Sequence, residues 1–238
     1  MLTQSLAITG VSTVAALFIA SPVKAYSVSL VSNINLTGTP SANQVYQLSD
    51  DDRTGASFRT PSELSTLTNI QLGLASLTGG TENVFVDLYD NSSLNGSNVL
   101  MGNSVPFATL SQSVTLNPFS PTVVTFNPTS NISLSANTTY AFAIRTASGS
   151  SFSIQSSCLD TNCTASPGYT GLTPPPAALF TSNDAGAVWN SQFSQRVFAV
   201  NANVVPEPLT ILGSMSALGF AAGFERKFRK NQDKNKKN

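Results

Sequence analysis

The stretch Val84-Phe85-Val86-Asp87-Leu88-Tyr89 alternates with a period of two, the period of a β-strand whose successive side chains point to opposite faces. Val84, Val86 and Leu88 form one apolar face, and Phe85, Asp87 and Tyr89 form a mixed one. Moving outward, Ile70, Leu72 and Leu74 alternate with Gln71, Gly73 and Ala75, and Tyr140, Phe142 and Ile144 alternate with Ala141, Ala143 and Arg145. Each run is expected to be a strand with one buried face. Further strands are expected at residues 27–35, 44–48, 56–60, 123–127, 151–155 and 196–204, separated by clusters such as Thr78-Gly79-Gly80 and Asn95-Gly96-Ser97. Helical periodicity is almost absent. Residues 26–205 contain no Lys and are rich in Ser, Thr and Asn, whose side chains compete with helical hydrogen bonding. The expected fold is all-β, an antiparallel β-sandwich of jelly-roll type, with closure into a barrel as the alternative. Pro167-Gly168 and Pro174-Pro175-Pro176 make residues 156–183 a long irregular excursion before the last strand.

The whole chain has 238 residues, 10% of them charged, and no His. Without imidazole there is no Ser-His-Asp or Cys-His pair, no His-ligated zinc or haem, and no His general base. The 12 basic and 12 acidic residues balance overall but are unevenly placed. Arg226, Lys227, Arg229, Lys230, Lys234, Lys236 and Lys237 lie near the C-terminus. In residues 26–205 only Arg53, Arg59, Arg145 and Arg196 stand against nine carboxylates, a net charge of −5. An acidic body argues against nucleic acid as a partner.

Residues 6–20 are apolar and small, and Pro22 interrupts the run ahead of Val23-Lys24-Ala25. This is the pattern of a signal peptide over residues 1–25, with cleavage after Ala25 by signal peptidase following Sec export, and it leaves a body at residues 26–204. Cys158 and Cys163, the only two cysteines, lie in a polar stretch, where in an exported chain they most simply close a short disulfide loop.

At the other end, Val205-Pro206-Glu207-Pro208 is followed by residues 209–224 without a charge, then Glu225-Arg226-Lys227-Phe228-Arg229-Lys230. Two prolines remove two backbone donors and hold their segment extended. A helix over residues 209–224 would rise roughly 24 Å, short of the ~30 Å hydrocarbon core, and is expected to be a weak transmembrane helix with a basic stop. The three parts in this order resemble the PEP-CTERM sorting signal over residues 205–230, with residues 231–238 as an added polar basic tail. That resemblance implies an exosortase that recognises Pro206, Glu207 and Pro208 and cuts nearby. It implies transient anchoring in the inner membrane and delivery to the cell surface or extracellular matrix. Gly55-Ala56-Ser57-Phe58, Ile70-Gln71-Leu72-Gly73-Leu74, residues 84–89 and Thr139-Tyr140-Ala141-Phe142-Ala143 are similar in character to choice-of-anchor R domains. Those are extracellular β-sandwiches without assigned catalytic residues.

Two acidic groups could carry chemistry. Asp50-Asp51-Asp52 offers hard oxygen ligands suited to Ca²⁺, against the reading of a solvated loop; it lacks the Asp-x-Asp-x-Asp-Gly spacing. Asp87 and Asp90, with Asn91, form an acidic corner, and two carboxylates are the minimum for glycoside hydrolysis. Phe85, Tyr89, Tyr169 and Trp189 could stack on sugar rings or fill the core. The expected function is a surface-sorted, non-catalytic sandwich with a structural or adhesive role in the envelope, biofilm or exopolysaccharide matrix. It needs no cofactor. The alternative is a carbohydrate- or Ca²⁺-binding extracellular module.

Overall fold

The computed structural model describes residues 24–34, 44–76, 79–118, 122–148, 152–156, 178–192 and 196–205. Two antiparallel sheets account for more than half of them. In chain order the strands are β1 (Tyr26–Ser32), β2 (Gln44–Leu48), β3 (Arg53–Arg59), β4 (Leu64–Ala75), β5 (Gly80–Tyr89), β6 (Ala108–Leu116) and β7 (Thr122–Phe126). They continue with β8 (Ser133–Leu134), β9 (Thr139–Thr146), β10 (Phe152–Ser156), β11 (Ala178–Ser182), β12 (Asn190–Ser191) and β13 (Phe198–Val205).

The first sheet runs β1-β13-β4-β10-β2, with β7 and β8 also on β4. Residues Ile70 and Leu72 of β4 pair with both β13 and β7, and Leu74 pairs with both β7 and β10. β13 and β10 therefore share one edge of this long strand, while β7 lies on the other. The second sheet runs β12-β11-β3-β9-β5-β6. The core lies between the sheets, and the alternation in the sequence supplies it. Val84, Val86 and Leu88 of β5, Phe142 and Ile144 of β9 and Phe58 of β3 are buried with Ile70, Leu72, Leu74, Phe126, Phe152, Phe198 and Val200. Phe142 and Phe198 meet edge to face across the sandwich, their ring centroids 4.9 Å apart.

Leu30 and Val31 are both fully buried although adjacent, because the pairing of β1 with β13 shifts register between Ser29 and Val31. A bulge inserts one extra residue and re-aims the side chains after it. At the start of β13, Asn33 is buried and donates from Nδ2 to the Arg196 carbonyl at 2.7 Å, and its Oδ1 accepts from the Phe198 N–H at 2.9 Å. A side-chain amide here substitutes for a missing piece of ladder.

Several expectations change. β6 and β11 were not expected, and β11 falls inside the stretch expected to be irregular. β9 is buried on both faces, not one. The expected C-terminal transmembrane helix is withdrawn: among the described residues no helix is long and apolar enough to cross a membrane, and the single helical element is one 3₁₀ turn, Asn91–Ser93. Residues 206–238 lie outside those described. In sequence that run is short and carries Gly213, Gly219 and Gly223, which weaken a helix.

Candidate functional site

The outer face of the second sheet carries the chemistry-bearing residues that come together. Its register sets them in rows. One row runs Phe180, Gly55, Ala143, Asp87 and Thr109 across β11, β3, β9, β5 and β6. The next runs Ala178, Ser57, Ala141 and Tyr89. On the other side, Arg145 pairs with Phe85, which pairs with Ser111, and Arg53 pairs with Ser182.

The middle of this face is made of Gly and Ala, so it sits low enough to be covered. The cover comes from the segment after β5, where Leu94, Val99 and Leu100 pack with Tyr89, Ala141, Ala143 and Phe180 in a second small core joined by Trp189. Asn95 shapes that segment by accepting from the N–H groups of Ser97 at 2.9 Å and Val99 at 3.1 Å. An Asx turn of this kind replaces backbone partners that a tight loop cannot supply.

On the same face, in the row of Ala143, Asp87 is 3% exposed. A buried carboxylate is tolerable only when paired and hydrogen-bonded. Arg145 donates from Nε to Oδ2 at 2.6 Å and from Nη2 to Oδ1 at 3.4 Å, and Thr109 donates to Oδ1 at 2.7 Å. The guanidinium also lies over the Phe85 ring, 4.3 Å from its centroid. Asp87 is thus held by partners on the two strands that flank its own.

Beside it Tyr89 is almost fully buried, and its phenol pKa is pushed up to about 12. Burial is the main cause and the Asp87 charge adds to it; Arg53 and Arg145 oppose the shift, and Arg53 also hydrogen-bonds the phenol. Arg53 runs beneath the loop that follows β11, where a Cβ on Gly186 would lie 3.3 Å from its Nη1. That loop is folded around Asp184, which accepts from Ser182 Oγ at 2.6 Å and from the Val188 N–H at 2.9 Å. The Ser182 hydroxyl, with the Val188 amide, holds the Asp184 carboxyl below its ordinary range.

The residues singled out in the sequence are not brought together as one site. Asp90 caps the 3₁₀ turn by accepting from the Ser92 N–H at 3.0 Å and its Oγ at 2.5 Å, at the exposed end of β5, while Asp87 is buried. Asn91 begins that turn. In the acidic run, Asp52 accepts from Ser49 Oγ at 2.5 Å, Asp50 accepts from Ser148 Oγ at 3.1 Å, and the Asp51 carbonyl accepts from the Ala185 N–H at 2.9 Å. Among the described residues no group of three or more Cys, Asp and Glu side chains could hold a metal ion. Phe85 lies under Arg145, Tyr89 is buried, and Trp189 stands edge-on to Phe180 at 5.2 Å and 85°. These three aromatics make no flat platform for a sugar. Ala25 is exposed one residue ahead of β1. Tyr169, Cys158, Cys163, Pro206, Glu207 and Pro208 lie outside the described residues. Arg145, Thr109 and Arg53 were missed as site residues; only their register against β5 and β11 reveals them.

No family model matches the chain, and no curated protein matches it. Among solved structures it is similar to a protein of infectious bursal disease virus, Gt strain, at 13% identity and a TM-score of 0.28, over 78% of this chain and 43% of that one. A Gx-strain structure gives 11% identity and a TM-score of 0.28, over 87% of this chain and 48% of that one. The chain spans less than half of either protein, and superpositions this loose carry no argument. These findings overturn the resemblance to PEP-CTERM proteins and choice-of-anchor R domains, since no family model supports it. With it go the exosortase, Sec export, signal peptidase and exopolysaccharide as partners, transient membrane anchoring and surface delivery as a location, and the functions built on them. The alternative of a carbohydrate- or Ca²⁺-binding extracellular module is withdrawn with them, for the geometric reasons just given.

Proposed function

We propose that this chain is a non-catalytic β-sandwich that works through the surfaces it presents. The observation that carries this reading is the state of Asp87. It is the one buried carboxylate among the described residues, and its two oxygens are taken by Arg145 and Thr109. A general acid or base needs a free proton position and reach to a substrate atom. Asp87 has its acceptors committed to the fold. Asp52, Asp90 and Asp184 each accept within their own turn, and the chain has no His to complete a pair with any of them. Supporting this, the second small core on the outer face is built from Tyr89, Val99, Leu100 and Phe180, and seals the place where a sheet-face site would open.

The test is turnover of a panel of glycosides, esters and peptides by the full chain, beside the Asp87→Asn variant. No turnover is expected from either. A hydrolytic activity that Asp87→Asn abolishes while the protein stays folded would overturn the reading.

A further inference from the structure

The free edge of β6 points to a second copy of this chain. We infer that two copies join β6 to β6, antiparallel and centred on Gln112, so that the six-stranded sheets become one continuous sheet across a two-fold axis. Among the described residues β6 pairs with β5 alone, and it does so in unbroken register from Ala108 to Leu116. An edge strand presents unpaired N–H and C=O groups, and proteins blunt such edges with short strands, bulges, Pro or charge. The other edges here are shorter or blunted. β12 and β8 have two residues each, β2 and β7 have five each, and β1 carries a register shift. β6 has nine residues, roughly 30 Å of edge, without a Pro, a charge or a bulge.

What selects a second copy over another partner is the order of side chains in Ala-Thr-Leu-Ser-Gln-Ser-Val-Thr-Leu. By side-chain class it reads the same in both directions about Gln112. Antiparallel pairing of two identical strands about that point sets 112 against 112, 111 against 113, 110 against 114, 109 against 115 and 108 against 116. On the inner face Leu110 of one copy then meets Val114 of the other, and Ala108 meets Leu116. On the outer face Ser111 meets Ser113 and Thr109 meets Thr115, hydroxyl pairs of the kind that support cross-strand contacts. The same pairing already occurs within the chain, where Thr81 of β5 and Thr115 of β6 lie 3.0 Å apart through their hydroxyls. Gln112 interrupts the apolar face between Leu110 and Val114 and is exposed; on the two-fold it meets its own copy, and an amide can donate to and accept from another amide. No charged side chain on β6 itself opposes the second copy. This pairing stands whether or not the chain turns over a substrate.

The test is sedimentation velocity of the full chain over a concentration series, with thermal melts to show that the variants fold. Wild type is expected to shift from monomer to dimer as concentration rises. Gln112→Lys sets two like charges opposite each other on the axis and is expected to weaken the dimer at least about tenfold. Gln112→Cys is expected to form a disulfide between copies, identified by peptide mass as a 112-to-112 link. A wild-type chain that stays monomeric throughout, a dimer that Gln112→Lys leaves unchanged, or a dimer in which Gln112→Cys fails to cross-link overturns the inference.

Discussion

At the scale of single residues, Asp87 shows how a polar group becomes structural. Its Arg145 partner is 30% exposed at the side chain while the carboxylate is 4% exposed, so the pair sits between a surface bridge and a buried one. Exposed pairs contribute ~0–1 kcal/mol and breaking a buried one costs ~3–5 kcal/mol. Arg145→Met is therefore expected to cost about 2 kcal/mol in urea unfolding, much of it from leaving Asp87 buried and unpaired. Adding Asp87→Asn to Arg145→Met should recover at least half of that loss, a coupling that a double-mutant cycle reads directly. Tyr89 makes a separate prediction through pH. Its folded-state pKa of about 12 lies above the value near 10 of the unfolded chain, so above pH 10 the folded state holds a proton that the unfolded state has lost. Stability is then lost as pH rises from about 10 to about 12, by an amount on the order of 2 kcal/mol. Thermal melts across that window should show the fall, and Tyr89→Phe should flatten it.

At the scale of elements, the outer face depends on how low its floor lies. A Cβ on Gly55 would run into the Phe142 carbonyl oxygen and stand 2.6 Å from Phe180 Cε2. Backbone cannot move aside as a flexible side chain can, so Gly55→Ala must push β3 away from β9 or lift Phe180. It is expected to destabilise by about 3 kcal/mol or more, and to loosen the segment carrying Val99 and Leu100, read as faster amide exchange there. This low floor also explains which elements were legible in the sequence. β4, β5 and β9 carry long apolar alternations, and the core follows from them. β9 was half-read: its Ala141 and Ala143 looked like a solvent face, yet their smallness is what admits the cover. β6 was missed because Gln112 breaks its alternation, and β11 because three prolines precede it and its Thr181 and Ser182 read as loop. The Asp87 site was legible by half for the same reason. The carboxylate stands in an evident strand, but Arg145 is 58 residues away, and only the pairing of β5 with β9 brings it there.

At the scale of the whole molecule, the question is whether two sheets behave as one body. Phe142 belongs to the second sheet and Phe198 to the first, and their rings meet edge to face inside one continuous core that draws from nearly every long strand. β13 is also fastened locally by Asn33, so Phe198 links the sandwich interior to a strand that pairs with β1 on one side and β4 on the other. Removing a buried Phe ring costs about 3–5 kcal/mol, the spread reflecting how far the site collapses. With a single core between the sheets, that loss cannot be confined to the first sheet, because the inner faces of β3, β5 and β9 bury against it. Phe198→Ala is therefore expected to lower stability by about 3–5 kcal/mol. It should leave one transition in which far-ultraviolet circular dichroism and the fluorescence of Trp189, which packs on Phe180 of the second sheet, coincide. Two separated transitions, with the Trp189 signal outlasting the loss of strand signal, would mean that the sheets are independently stable and that the shared core does not unite them.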